Sequence, residues 1–126
     1  MRNEKASEHL SARTKCLALR IIRLVEALPN KPVANVIGRQ LLRAGTSVGA
    51  NYRAASRARS VAEFCSKLGI VEEEADEVAY WLELLSEAKL VPDHRLGDLR
   101  RETDEILAMT VSSIKTARAK TRSKTR

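Results

Sequence analysis

The 126-residue sequence contains very few aromatic residues: one phenylalanine, one tryptophan and two tyrosines. Its core must therefore be built from leucine, valine, isoleucine and alanine, and such a core suits packed helices better than a sheet. Cysteine is also scarce, and the two present, Cys16 and Cys65, fall at the apolar edges of separate predicted helices. We expect two free, partly buried thiols, with a disulfide between them as the minor alternative.

Long apolar runs are missing as well. No stretch approaches the roughly 18 apolar residues that a membrane span requires. The opening residues, Met-Arg-Asn-Glu-Lys, are not followed by an apolar stretch, so we predict no secretory signal. These absences favour a cytoplasmic protein without a membrane partner.

Motifs of enzymes are nearly absent. His9 and His94 lack metal-ligand spacing, and no Glu-x-x-His occurs, which excludes a ferritin-like di-metal site in its usual form. Gly45 and Gly49 lie inside a predicted helix, without the strand and lysine of a phosphate-binding loop. Ser47 has no histidine in local register. We therefore predict a non-enzymatic protein with no catalytic residue, no metal and no cofactor.

The charge is unevenly distributed along the chain. The net charge is +7, but residues 1–62 carry +9, residues 63–111 carry −8 and residues 112–126 carry +6. The first and second segments are of opposite sign, so much of this charge can be neutralised within a subunit or between subunits. The last segment has six cations and no acid, which is typical of a sequence-independent phosphate binder or of a solubilising end.

Apolar residues recur at helical spacing in four segments. The predicted helices span about residues 7–28, 34–58, 60–88 and 93–114, with short connections. Pro29 and Pro32 separate the first two, Ser60 with Glu63 forms a capping box at the third, and Asp93 is a candidate N-cap for the fourth. These features predict an all-α, up-down-up-down antiparallel four-helix bundle over residues 1–114, followed by a basic, disordered tail at 115–126.

The segment Gln40–Ala55 carries two glycines inside a helix. Each glycine costs about 1 kcal/mol relative to alanine in a helix interior, so Gly45 and Gly49 indicate that another helix approaches closely. Ser47 and Asn51 lie on the flank of the apolar stripe. They either satisfy polar groups at a helix contact, which we favour, or hold a small anion or nucleic-acid phosphate.

Charged residues of the second and third helices have two main interpretations. The acidic third helix is either a solvated face or a partner for arginines of the second helix, in the same or a neighbouring subunit, with a metal site as the minor alternative. Trp81, at the edge of its apolar stripe, either caps the core or anchors a subunit interface.

The second helix, Gln40-Leu-Leu-Arg43-Ala-Gly-Thr-Ser47-Val-Gly-Ala-Asn51, matches the pattern Gln-Leu-x-Arg-Ala-x-x-Ser-x-x-x-Asn. With the following Ala58-Arg-Ser60-x-x-Glu63-Phe64 and the acidic third helix, it resembles the bacterial four-helix bundle proteins related to those encoded in 23S rRNA intervening sequences. The resemblance covers about residues 10–114. One departure is Ala54, where many members have glutamate, so no role of that glutamate is carried over.

The resemblance implies a left-handed bundle that assembles into a ring, with a homopentamer favoured. Similar bundles are accessory proteins of diversity-generating retroelements, where they engage a reverse transcriptase and nucleic acid. We therefore expect RNA or DNA to bind at a set of cations: Arg39, Arg43, Arg53, Arg57, Lys115, Arg118, Lys120 and Arg122. We expect the subunit interface to include five residues of the second and third helices: Ser47, Asn51, Glu74, Glu77 and Trp81. The alternative is a protein-interaction scaffold, or a retroelement accessory protein, with no direct nucleic-acid role.

Overall fold

A computed structural model describes residues 2–124 of the chain, with side chains described for residues 9–123. It contains four α-helices: α1 (Arg2–Glu26), α2 (Pro32–Ser56), α3 (Val61–Glu87) and α4 (Asp93–Lys124). No strand occurs within residues 2–124, which confirms the all-α class. None of the helices in this range is long and apolar enough to cross a membrane.

Local sequence explains where α2 and α3 begin and end. Pro32 opens α2, because the first helical position needs no backbone N–H. The Ser60 hydroxyl caps α3 by accepting a hydrogen bond from the Glu63 N–H at 3.1 Å. The Glu63 carboxylate accepts in return from the N–H of Arg59, at 3.2 Å, one residue before the cap. The predicted serine cap is thus confirmed, while the return bond reaches the residue preceding it.

The C-terminus of α3 closes in a Schellman motif. The Leu90 N–H donates to the Leu85 carbonyl at 3.0 Å, and the Lys89 N–H donates to the Ser86 carbonyl at 3.0 Å. Lys89 adopts a left-handed backbone with φ of 60°, a position that favours glycine. The turn therefore stores a small amount of backbone strain at a lysine.

Aliphatic side chains from all four helices form one core. The heptad of α3 is fully buried as the periodicity predicts, apart from Phe64, which is half-buried: Leu68, Val71, Ala75, Val78, Leu82 and Leu85. Thr103 and Thr110 are buried too, and their hydroxyls donate to the carbonyls of Leu99 and Ile106 at 2.8 Å. No buried side-chain N or O atom among the described residues lacks a hydrogen-bond partner.

The two glycines of α2 lie against α1. A Cβ added to Gly45 would stand 2.5 Å from Cδ1 of Ile21, closer than real Cβ contacts come, and 3.0 Å from its Cγ2, which is tighter than most. A Cβ on Gly49 would stand 3.4 Å from the Thr14 carbonyl oxygen. The predicted close approach of another helix is confirmed, and the helix that approaches is α1.

Two local expectations differ from the structure. We expected α4 to fray after Ile114, but the helix continues to Lys124, because this segment contains good helix formers and no glycine or proline. Residues 125 and 126 of the predicted disordered tail lie outside the described residues. Both thiols are free, but Cys16 is exposed instead of partly buried, while Cys65 is half-buried as expected.

Candidate functional site

The most distinctive polar cluster lies between α2 and α3. Arg43 donates to the Glu74 carboxylate at 3.0 Å and to the Glu77 carboxylate, and more weakly to the Gln40 side chain at 3.4 Å. The Trp81 indole N–H donates to the same Glu77 carboxylate at 2.9 Å. Of the two interpretations of the acidic helix, these contacts support pairing with an arginine of α2, and the pairing occurs within one chain.

The electrostatics of this cluster follow from its hydrogen bonds. The Trp81 N–H, and then Arg43, lower the pKa of Glu77 below that of an ordinary glutamate, although partial burial opposes them. The hydrogen bond to Glu77 raises the pKa of Arg43. Both groups therefore stay ionised at neutral pH. Arg43 remains half-exposed, so the cluster is open to solvent or to a partner.

Ser47 and Asn51 lie one and two helical turns further along the same side of α2. The Asn51 amide donates to the Ser47 hydroxyl at 2.8 Å and to the Ser47 carbonyl at 2.9 Å. Both side chains are half-buried. The pair is therefore held in a fixed orientation by its own helix and presents polar atoms at the surface.

Helical geometry gathers these residues on one surface, which we call the α2–α3 face. Positions 33, 36, 40, 43, 47 and 51 recur at intervals of three and four along α2, and positions 70, 74, 77 and 81 do so along α3. The five predicted interface residues all belong to this face. Three exposed aliphatic side chains join them: Val33, Val36 and Ile70.

Trp81 occupies an intermediate position at this face. Its ring packs against the core and meets the ring of Tyr80 in an edge-to-face arrangement, with the centroids 5.1 Å apart. Tyr80 itself is 53% exposed. Trp81 therefore caps the core, and its place in a subunit interface stays a prediction.

The predicted nucleic-acid-binding cations fall into separate groups. Arg39 and Arg53 are exposed on α2 and, by helical geometry, point away from the bundle, and Arg57, which directly follows α2, is exposed as well. Lys115, Arg118, Lys120 and Arg122 are exposed on the last turns of α4.

The structure brings some of these cations to one end of the molecule. The first turns of α3, which follow Arg57 closely, lie beside Arg118 and Arg122 of α4. Arg53 and Arg57 therefore share an end with the C-terminal cations. Arg39 lies about 18 residues before Arg57, or about 27 Å away along the axis of α2.

An ion-pair cluster that sequence reasoning missed joins α1 to α4. The Arg13 guanidinium donates to both oxygens of Glu102, at 2.9 and 2.7 Å, and to Glu105 at 2.9 Å. A further N–H lies 3.1 Å from the Met109 sulfur. The hydrogen bond from Arg13 lowers the pKa of Glu102 and raises that of Arg13. The sequence held one sign of this cluster. Arg13 lies three residues after Leu10 and four before Leu17, a helical position where an apolar residue is expected.

The fold and its surface define a small all-helical protein with interhelical ion pairs and a mixed polar and aliphatic face. The chain belongs to the 23S rRNA-intervening sequence protein family, whose model matches residues 10–112. The family resemblance inferred from α2 and α3 is thereby confirmed.

A solved structure supports the same assignment. The 1.70 Å crystal structure of a protein of unknown function from the S23 ribosomal protein family, from Bacteroides thetaiotaomicron, superposes on this chain with a TM-score of 0.82. The two sequences are 35% identical. The match covers 87% of this chain and 98% of that one. Comparison with proteins of curated function finds no match.

Proposed function

We propose that this protein is a non-enzymatic cytoplasmic scaffold that assembles into a ring-like homo-oligomer, with a pentamer favoured, and binds RNA or DNA through basic surfaces. The observation that carries the nucleic-acid part is the set of exposed cations at one end of the bundle. Arg53 and Arg57 make no side-chain ion pair among the described residues, so their charge is available to phosphates.

The proposal uses an up-down-up-down, left-handed antiparallel bundle. Contacts between α1 and α2 support the antiparallel part. Gly38 lies near Val25, Gly45 near Ile21 and Gly49 near Thr14, so the residue numbers rise along α2 as they fall along α1. The short connections between successive helices favour the same topology.

Ring assembly is proposed to use the α2–α3 face. Exposed valines beside a fixed polar pair and a charge cluster give a surface with apolar area and directional hydrogen-bonding groups. Interfaces commonly combine these two features. Trp81 is the sole tryptophan, so its fluorescence should move to shorter wavelength when this face is covered.

Assembly is tested by sedimentation velocity on the wild type and on Asn51→Arg, which places a charge at the face. We expect a multimer for the wild type and a smaller species for the variant, with a red-shifted Trp81 emission. Arg23→Glu, on the exposed side of α1, is the matched control and should leave the mass unchanged. A wild type that sediments as a monomer at every concentration would refute the ring.

Nucleic-acid binding is tested by fluorescence anisotropy with a labelled single-stranded RNA and the same sequence as DNA. Affinity should fall steeply between about 50 and 200 mM salt, because bound phosphates release counterions. Arg53→Gln with Arg57→Gln should weaken binding and reduce the salt slope by about 1 for each lost phosphate contact. Arg95→Gln, an exposed arginine at the start of α4, is the control. Absence of binding even at low salt would contradict the proposal.

A second candidate is a protein-interaction scaffold or retroelement accessory protein with no nucleic-acid role. The pairing of Arg43 with Glu74 and Glu77 favours it, because those carboxylates offset part of the positive charge on α2. The discriminating measurement is binding to a reverse transcriptase after nuclease treatment. Retained binding, together with no affinity for free RNA or DNA, would favour this candidate.

A further inference from the structure

A shallow groove of about 560 Å³ runs between the start of α3 and the end of α4. Small side chains line it on α3, at Ala62, Cys65, Ser66 and Gly69. A Cβ added to Gly69 would meet no atom within 4 Å. The packing of this chain therefore does not require glycine there, although glycine weakens a helix interior. A close approach from outside the chain would require it.

The groove has positive charge on its α4 wall. Arg118 and Arg122, one helical turn apart, line it opposite Cys65. Further along the same side of α3 and α4 is a second depression, lined by Glu72, Glu73 and Asp76 with Leu107 and Val111. We call these two depressions together the α3–α4 side.

The carboxylates of this side have no partners within the part of the chain that the structure describes. Glu72, Glu73 and Asp76 make no ion pair or side-chain hydrogen bond there, and neither does Arg118. One surface thus presents cations at one level and unpaired anions at the next. The two levels are centred about nine residues apart on α3, or about 14 Å at the helical rise per residue.

This spacing makes the surface complementary to itself. A second copy, rotated by 180° about an axis midway between the two levels, would bring its carboxylates to the level of the arginines of the first and its arginines to the level of the carboxylates. Such a contact closes as a two-fold dimer. The midpoint falls at Gly69, where the two α3 helices must pass closest and where a side chain is absent.

We propose that the α3–α4 side binds a second copy of this chain about a two-fold axis at Gly69. This contact is separate from the α2–α3 face, so it stands whether or not the ring forms. The proposed binding of nucleic acid at Arg53 and Arg57 does not require this surface. A nucleic acid fits it less well than a second copy does, because the carboxylates repel phosphates within about 14 Å of Arg118 and no aromatic residue lines either depression for base stacking.

Charge reversal with mixing tests the proposal. The arginine-reversed variant is Arg118→Glu with Arg122→Glu, and the carboxylate-reversed variant is Glu72→Lys with Glu73→Lys and Asp76→Lys. In each alone, like charges face each other at both ends of the contact. By sedimentation velocity at low salt, we expect the mass of each to fall at least two-fold from the wild type, while Arg23→Glu leaves it unchanged.

An equal mixture of the two variants should restore the wild-type mass. In the mixed dimer one end keeps the natural pairs and the other end has both signs reversed, so attraction returns at both. Recovery on mixing is expected only if the cations of one copy pair with the carboxylates of another. Circular dichroism of each variant confirms that the helices remain formed.

Gly69→Gln gives an independent check that leaves charge unaltered. Open space around the Cβ allows the fold, but the added side chain blocks the axis, so the mass should again fall two-fold. Unchanged mass in all three variants, or loss of mass without recovery on mixing, would overturn the proposal. If the arginine-reversed variant loses RNA affinity while its mass stays at the wild-type value, the arginines bind nucleic acid and the two-fold contact is rejected.

Discussion

Gly45→Ala is the sharpest test of how α1 and α2 pack. In most helix interiors this substitution stabilises a protein, because alanine is the better helix former by about 1 kcal/mol. Here the added Cβ would stand 2.5 Å from Ile21 Cδ1 and 3.0 Å from Cγ2. We therefore expect the opposite sign.

The magnitude depends on whether Ile21 can move. Its Cδ1 is the flexible end of the side chain, but Cγ2 and Cβ, at 3.0 and 3.3 Å, stay close to the backbone. Ile21 is fully buried, so there is no solvent into which it can turn. Overpacking of this kind costs about 1–3 kcal/mol. Set against the gain of about 1 kcal/mol in helix propensity, the free energy of unfolding should fall by roughly 1 kcal/mol.

The assay is urea unfolding followed by circular dichroism, at one protomer concentration for all variants because assembly shifts apparent stability. Gly97→Ala in α4 is the matched control, since its Cβ would meet nothing within 4 Å. It should raise the free energy of unfolding by about 1 kcal/mol. The two glycine-to-alanine changes should thus differ by about 2 kcal/mol.

A second variant identifies the atom responsible. Ile21→Val removes Cδ1, at its own cost of about 0.5–1.5 kcal/mol. In that background Gly45→Ala should be less destabilising than in the wild type, a favourable coupling of at least about 0.5 kcal/mol. If Gly45→Ala stabilises the protein as much as Gly97→Ala does, the close approach of α1 and α2 is refuted.

Two further substitutions test the ion pair between α1 and α4 and the end of α3. Arg13→Met should lower the free energy of unfolding by about 2 kcal/mol at pH 7. Because Arg13 lowers the pKa of Glu102 in the folded state, this contribution is present above the ordinary glutamate pKa and lost as pH falls through the lower folded value. Urea unfolding should therefore show a smaller difference in the free energy of unfolding between wild type and variant at pH 3 than at pH 7. An equal difference at both pH values would contradict the ion pair. Lys89→Gly should stabilise by about 1 kcal/mol, because it relieves the left-handed backbone; a thermal midpoint below that of the wild type would refute this.

The candidate site was only partly visible in the sequence. Helical spacing placed Ser47 and Asn51 on one flank of α2, and the structure confirms that they share a side. The spacing left open which carboxylates would face Arg43, because periodicity describes one helix at a time. The contact with Glu74 and Glu77 depends on the relative level of α2 and α3 along their axes, which packing determines.

Arg13 is a second case in which the periodicity of one helix did not identify a partner on another. Helical spacing by itself does not explain a charged residue at an apolar interval of α1, because its partner, Glu102, lies 89 residues away. The end of α4 was also misjudged. A basic composition suggested disorder after Ile114, whereas helix propensity and the adjoining first turns of α3 are consistent with a helix up to Lys124.

The amino-acid sequence by itself determined the four helices, their main breaks, the buried heptad of α3 and the glycines that need a close neighbour. These properties follow from local backbone preference and from the 3.6-residue period, which act within a single segment. The tertiary structure alone decided which helix meets Gly45, which carboxylates meet Arg43, and that Gly69 has open space beside a basic groove. Those outcomes depend on how whole helices slide and rotate against one another, because the free energy of burial is shared among many distant residues.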